Sequence, residues 1–177
     1  MAKMIEHRYG AHPGKGCNRS RVRTLLADHD PLSRRVLSDL LSESGELDVI
    51  ARVDSHDPLE EWPLRQAEVV VLGVSPLEHL VDTVRELASR KVTVLLIGVD
   101  WTTDSLDAVL GAGAAGCLVK DAELSGLVTA VQAVASGHVV WVPITSSTSC
   151  DQVIFVDHAT DVSLFSDAVQ VEVDRLG

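Results

Sequence analysis

Aromatic residues make up only 3% of this 177-residue chain, and the three cysteines, Cys17, Cys117 and Cys150, are odd in number and far apart. Cysteines so placed form neither a disulfide framework nor a metal-ligand spacing, and they fit a reducing cytoplasm. No apolar run approaches the roughly 20 residues needed to span a bilayer. Stretches such as Val69-Val70-Val71-Leu72 are far shorter. The start of the chain lacks the charged, apolar and small-residue pattern of a secretory signal. Basic residues are scarce beyond the first segment: residues 1–23 carry a net +5 and the remainder −16, within a total of −11. So acidic a body argues against direct DNA binding, because phosphate contacts supply most of such affinity. What is abundant is apolar material, 46% of the chain, enough for one domain with a real core.

Hydrophobic periodicity organises residues 21–142. Short apolar, β-branched runs predict strands at Arg21–Ala27, Leu47–Val53, Val69–Val74, Val92–Ile97 and Cys117–Val119. Helical spacing falls between them. Leu32, Val36, Leu37, Leu40 and Leu41 share one face of a first helix. Asp30 and Pro31 suit its cap and first position, and Gly45 ends it. An acidic helix is expected over Asp57–Gln66, irregular at Pro63, and a third from Leu77 to Leu87. A fourth carries Leu106, Val109 and Leu110, closed by Gly111 and Gly113. A fifth carries Leu124, Leu127, Val128, Val131 and Val134, stopped by Gly137. Strands alternating with helices predict a doubly wound, five-stranded parallel sheet with helices on both faces. Ligands of such folds sit outside the carboxyl ends of the strands. Residues 1–20 read as a flexible basic leader. Residues 143–177 read as an acidic tail of ambiguous structure, with a strand at Val153–Val156 as one element. Arg175 is its only base against six acids, so it holds no recognition helix.

Two segments carry a family resemblance. One is Leu25-Leu26-Ala27-Asp28-His29-Asp30-Pro31-Leu32, running into Arg34, Arg35, Val36 and Leu37. The other is Gly111-Ala112-Gly113-Ala114-Ala115-Gly116-Cys117-Leu118-Val119-Lys120-Asp121, in which Cys117 replaces the usual Tyr. Residues 21–142 thereby resemble the receiver domain of bacterial response regulators, in the LuxR/NarL-type subgroup of two-component systems. The resemblance implies a flavodoxin-like fold with strand order 2-1-3-4-5. It also implies a C-terminal helix-turn-helix, for which residues 143–177 are too short.

The resemblance implies a phosphorylation pocket as well, and the sequence departs from it. Receivers use two acids after the first strand for Mg²⁺, an acceptor Asp ending the third strand, a Thr or Ser after the fourth, and a Lys after the fifth. Here Asp28 matches the first acid and His29 stands where the second belongs. Gly73 falls at the acceptor position, Gly98 at the switch position, and Lys120 is retained. Neutral imidazole is a poor Mg²⁺ ligand, so Asp28 and Asp30 are only weak metal candidates and no cofactor is expected. Lys120 is expected to pair with Asp28, Asp30 to cap the first helix, and Ser75 to be a solvated loop residue. Trp62, Trp101 and Trp141 are expected in the core or at an interface.

These departures point to a non-enzymatic, phosphorylation-independent regulator acting through protein contacts. The alternatives are a small-molecule sensor using the altered pocket and a shortened DNA-binding regulator. A nucleotide-using or flavodoxin-like enzyme would need a Gly-rich phosphate loop where Asp28-His29-Asp30 stands. The resemblance suggests pairing through the first and fifth helices. The fifth, Glu123–Ala135, has Glu123 as its only charge, which suits a covered helix. A homodimer, or a heterodimer with a related regulator, is expected through Arg34, Arg35, Val131 and Gln132.

Overall fold

The apolar runs at Val69–Val74 and Val92–Ile97 lie inside the sheet in a computed structural model, which describes residues 21–74, 79–99, 101–120, 126–141 and 154–156. The chain runs β1 (Val22–Ala27), α1 (Pro31–Glu43), β2 (Leu47–Val53), two 3₁₀ turns (Leu59–Glu61 and Leu64–Gln66), β3 (Val69–Val74) and α2 (Leu80–Ser89). It continues through β4 (Thr93–Gly98), α3 (Thr103–Gly111), β5 (Gly116–Val119), α4 (Leu127–Ala135), β6 (Val139–Trp141) and β7 (Ile154–Val156). The sheet order is β2-β1-β3-β4-β5-β6-β7. All neighbours are parallel except β6 and β7.

The expected order 2-1-3-4-5 is therefore present, but the five-stranded sheet is extended to six parallel strands and one antiparallel strand. Gly116 explains the sixth. A Cβ there would lie 2.7 Å from the Val140 carbonyl oxygen and 3.1 Å from its Cβ, so only glycine lets β6 approach this closely. Val140 is in turn fully buried. The seventh strand occupies the end of the Val153–Val156 run, pairing Phe155 with Val140.

Alternation along the central strands sends side chains to two cores. Val70, Leu72, Val94 and Leu96 meet Val84 and Leu87 of α2 and Val109 of α3. Val69, Val71, Leu95 and Ile97 meet Leu37 and Leu41 of α1 and Leu127, Ala130, Val131 and Val134 of α4.

Three local expectations change. The Asp57–Gln66 segment is two short 3₁₀ turns rather than a helix, because Pro63 breaks the ladder between them. Gly111 closes α3 from inside, and Gly113, at φ +108°, makes the left-handed turn out of it. On α1, Leu37 and Leu41 are buried, whereas Leu32 is 70% and Val36 53% exposed. The inward stripe is narrower than the five apolar residues suggest. The leader 1–20, Ser75, Leu77, Glu123, Leu124, most of the tail 143–177 and the side chain of Trp141 lie outside the described residues.

Candidate functional site

Parallel pairing brings the candidate residues to one edge. β1 pairs with β3 so that Ala27 faces Leu72, β3 pairs Val74 with Gly98 of β4, and the Lys120 amide donates to the Gly98 carbonyl at 2.7 Å. Asp28, Gly73, Gly98 and Lys120 thus converge at the carboxyl end of the sheet.

Asp28 is 1% exposed, and both oxygens of its carboxylate accept hydrogen bonds from protein donors. One oxygen accepts the Asp30 amide at 2.9 Å. The other accepts the Ser33 hydroxyl and the Lys120 ammonium, each at 2.9 Å. Burial pushes this carboxyl up, but the Lys120, Asp30 and Ser33 hydrogen bonds and the Lys120 charge outweigh it and hold it below its ordinary value.

The two glycines explain how this arrangement fits. A Cβ on Gly73 would lie 2.1 Å from the same Asp28 oxygen that Lys120 and Ser33 bind, and 2.5 Å from its Cγ. Asp28 thus fills the space that any side chain at 73 would need. A Cβ on Gly98 would lie 2.9 Å from Trp101 Cζ2. The indole is 8% exposed, and its Nε1 donates to the Leu118 carbonyl at 2.9 Å. The space beside Gly73 is filled by a charged network and that beside Gly98 by an aromatic ring.

Asp30 is the helix cap: its carboxylate accepts the Leu32 amide at 3.0 Å and the Ser33 amide at 3.3 Å. With Asp30 committed to the cap and every Asp28 oxygen engaged by a protein donor, the residues here do not fit Mg²⁺, which takes oxygen ligands in near-ideal octahedral geometry. His29 lies beside Asp28, with Nδ1 3.6 Å from Oδ1. Cys117 is buried in β5, and burial pushes its thiol up to about 12, which leaves it inert.

The expected interface residues separate. Val131 is 0% exposed and belongs to the core, so it is not an interface residue; its place on α4 faces the sheet. Arg34 is largely covered, with 22% of its side chain exposed. Its guanidinium donates to the carbonyls of Asp28 and Val53 and lies 3.6 Å from Asp54, tying the ends of β1 and β2 together. Arg35 points outward, 81% exposed. Gln132 donates to Glu46 at 2.7 Å on the surface. Ser33 and Trp101 were not among the expected site residues. Position 33 carries an ordinary helix-start signal, and an isolated Trp after a strand reads equally as core.

No protein-family model matches the chain. Over 121 residues it is 36% identical to the DNA-binding transcriptional activator DevR/DosR of Mycobacterium tuberculosis, covering 66% of this chain and 55% of that protein. The chain spans a little over half the length of the curated relatives it matches. The solved signal receiver domain of the response regulator NarL from M. tuberculosis is 29% identical with a TM-score of 0.58, covering 66% of this chain and 98% of that one. The response regulator RcsB, solved as two dimers bound to two parallel DNAs, shares the fold at 18% identity and a TM-score of 0.56, covering 66% of this chain and 61% of that one. These relatives are regulatory rather than catalytic, and among the described residues no helix is long and apolar enough to cross a membrane. Sequence relatives and fold together identify the chain as carrying a receiver domain of the NarL/LuxR-type response regulators.

Proposed function

We propose that this receiver domain works without phosphorylation and signals through protein contacts. The observation that carries the proposal is the placement of the Asp28 carboxylate, 2.1 Å from where a Cβ on residue 73 would stand. Gly73, which the family pattern aligns with the acceptor, offers no nucleophile, and Asp28 is buried against Lys120. Phosphoryl transfer needs a carboxylate nucleophile with cations poised on the transferring group. Here the remaining cation neutralises the remaining acid.

The same filling favours contact over small-molecule sensing in this pocket, because Asp28 and Trp101 take up the room left by the two glycines. The surface available for contact is on α1 and α4. Leu32 and Val36 stand one turn apart and exposed on α1, with Arg35 beside them. Thr129, Gln132 and Ser136 line a shallow cleft on α4. Pairing through these helices, with a second copy or a related regulator, is constitutive in this proposal because no phosphate gates it. Binding of DNA, as the name of the DevR/DosR relative states for that protein, is the competing reading.

Incubation of the full chain with acetyl phosphate and Mg²⁺, followed by intact mass measurement, tests the proposal. The unmodified mass is expected. A stoichiometric, alkali-labile phosphoryl adduct overturns it.

A further inference from the structure

The amino end of the sheet, opposite the Asp28–Lys120 network, carries a cleft of about 680 Å³ where the chain enters β3 and β4. Pro63 separates the two 3₁₀ turns there, and the residues around it divide by side. Trp62, Leu64 and Val92 are buried and form the floor. The Trp62 indole Nε1 donates to the Asp57 carbonyl at 3.2 Å, which fixes the ring in place. Glu60, Arg65 and Gln66 stay exposed on the rim, with Glu61 beside them.

The rim is acidic. Arg90 at the end of α2 answers both Glu60 and Glu86, so one guanidinium serves two carboxylates. Asp57 and Glu61 are exposed and make no ion pair among the described residues, and only Arg65 stands against them. The chain enters β1 at this same end. Thr24 pairs with Val69, the Arg23 carbonyl accepts the Glu68 amide at 2.8 Å, and β3 pairs in turn with β4. Strands about 4.8 Å apart put the start of β1 about 10 Å from the start of β4. Three or four extended residues, at about 3.3 Å each, cover that distance. Residues 1–20, which precede β1, hold Lys3, Arg8, Lys15 and Arg19 against Glu6 alone.

We propose that residues 1–20 dock into this cleft of their own chain, with their bases on the Glu60–Glu61 rim. Exposed ion pairs are individually weak. A short tether offsets this, because it presents the segment to its site at an effective concentration in the millimolar range. Ile5 and Tyr9 supply apolar contacts for the floor. The same rim repels the other end of the chain, where residues 151–177 carry six acids and one base, Arg175. This inference is independent of the phosphorylation proposal, since cleft and pocket lie at opposite ends of the sheet.

Two readouts on the full chain test it. Carbodiimide joins an amine to a carboxylate only where the two touch. Cross-links from Lys3 or Lys15 to Glu60 or Glu61 are expected at the mass of one chain, and salt of about 0.5 M should suppress them. The second readout is the amide spectrum. K3E/R8E/K15E/R19E leaves every core residue in place and should shift the amides of Glu61, Arg65 and Gln66 and the Trp62 indole N–H. In an E60Q/E61Q background the same reversal should move them less. Unmoved resonances in the reversed variant overturn the proposal. Cross-links found only in a covalent dimer overturn it too, because they seat the segment on a second copy. Cross-links spread evenly over carboxylates on α1 and α3 show attraction without a site and also overturn it.

Discussion

The surroundings of Gly73 and Gly98 have been filled in opposite ways. At Gly73 the neighbour is a buried carboxylate held by an ammonium, a hydroxyl and an amide. At Gly98 it is an indole with a single hydrogen bond to a backbone carbonyl. The first filling keeps charge in the site and depends on polar satisfaction. The second removes polarity and depends on packing. A glycine at the sheet edge therefore does not leave a void: the nearest group able to pack or pair takes the space.

The indole filling should carry the larger energetic weight. Trp101→Ala removes a buried ring and leaves a cavity that two strands and a loop cannot close, at a cost of about 4 kcal/mol. A fall of several degrees or more in thermal midpoint checks this, and a midpoint close to wild type would make the indole a surface ornament. At the other glycine the effect is steric. Gly73→Ala should cost about 2 kcal/mol, because Asp28 must move and its polar partners move with it. In an Asp28→Ala background the same change should cost at least about 1 kcal/mol less, since the obstructing carboxylate is gone. Additive costs in denaturant titrations would show that Asp28 is not what fills the space.

Acid should distinguish the two fillings as well. Hydrogen bonds from Lys120, Asp30 and Ser33 outweigh burial and hold the Asp28 carboxyl below its ordinary value in the folded state, so the native protein binds fewer protons than the unfolded chain as this group titrates. Its contribution is complete above a pH of about 4 and is lost as pH falls through the lower folded value. Asp28→Asn should therefore cost about 2 kcal/mol at neutral pH and progressively less in acid. Trp101→Ala should show no such convergence from its own ring. The smallest expected effect is a gain. Ser38 is fully buried in α1 and its hydroxyl has no hydrogen-bond partner. Ser38→Ala should stabilise by about 1 kcal/mol at every pH, and it serves as a reference untouched by either filling.

Much of the frame is legible in the residues. Val69–Val74 reads as a doubly buried strand because its apolar run has no polar alternation, and it is buried throughout. Asp30 before Pro31 reads as a cap because both residue types favour that geometry, and the carboxylate makes both amide contacts. Other features depend on distant neighbours. Leu32 and Val36 share the helical period of Leu37 and Leu41, but only the sheet decides which part of that stripe turns inward. Val131 stands next to Gln132 on a helix nearly free of charge, so composition alone does not separate the buried residue from the surface one. β6 is three residues long, and its partner signal is the missing side chain of Gly116. The Trp101 filling had no local cue, because it arises from the absence of a side chain at Gly98 three positions earlier.

The most direct test of a self-filled pocket is a backbone amide spectrum of the full chain with Mg²⁺ and beryllofluoride, which mimics a bound phosphoryl group. The account predicts that the amides of Asp28, Gly73, Gly98 and Lys120 keep their positions at saturating concentrations of both. Saturable shifts at these amides that require Mg²⁺ and beryllofluoride together would contradict it.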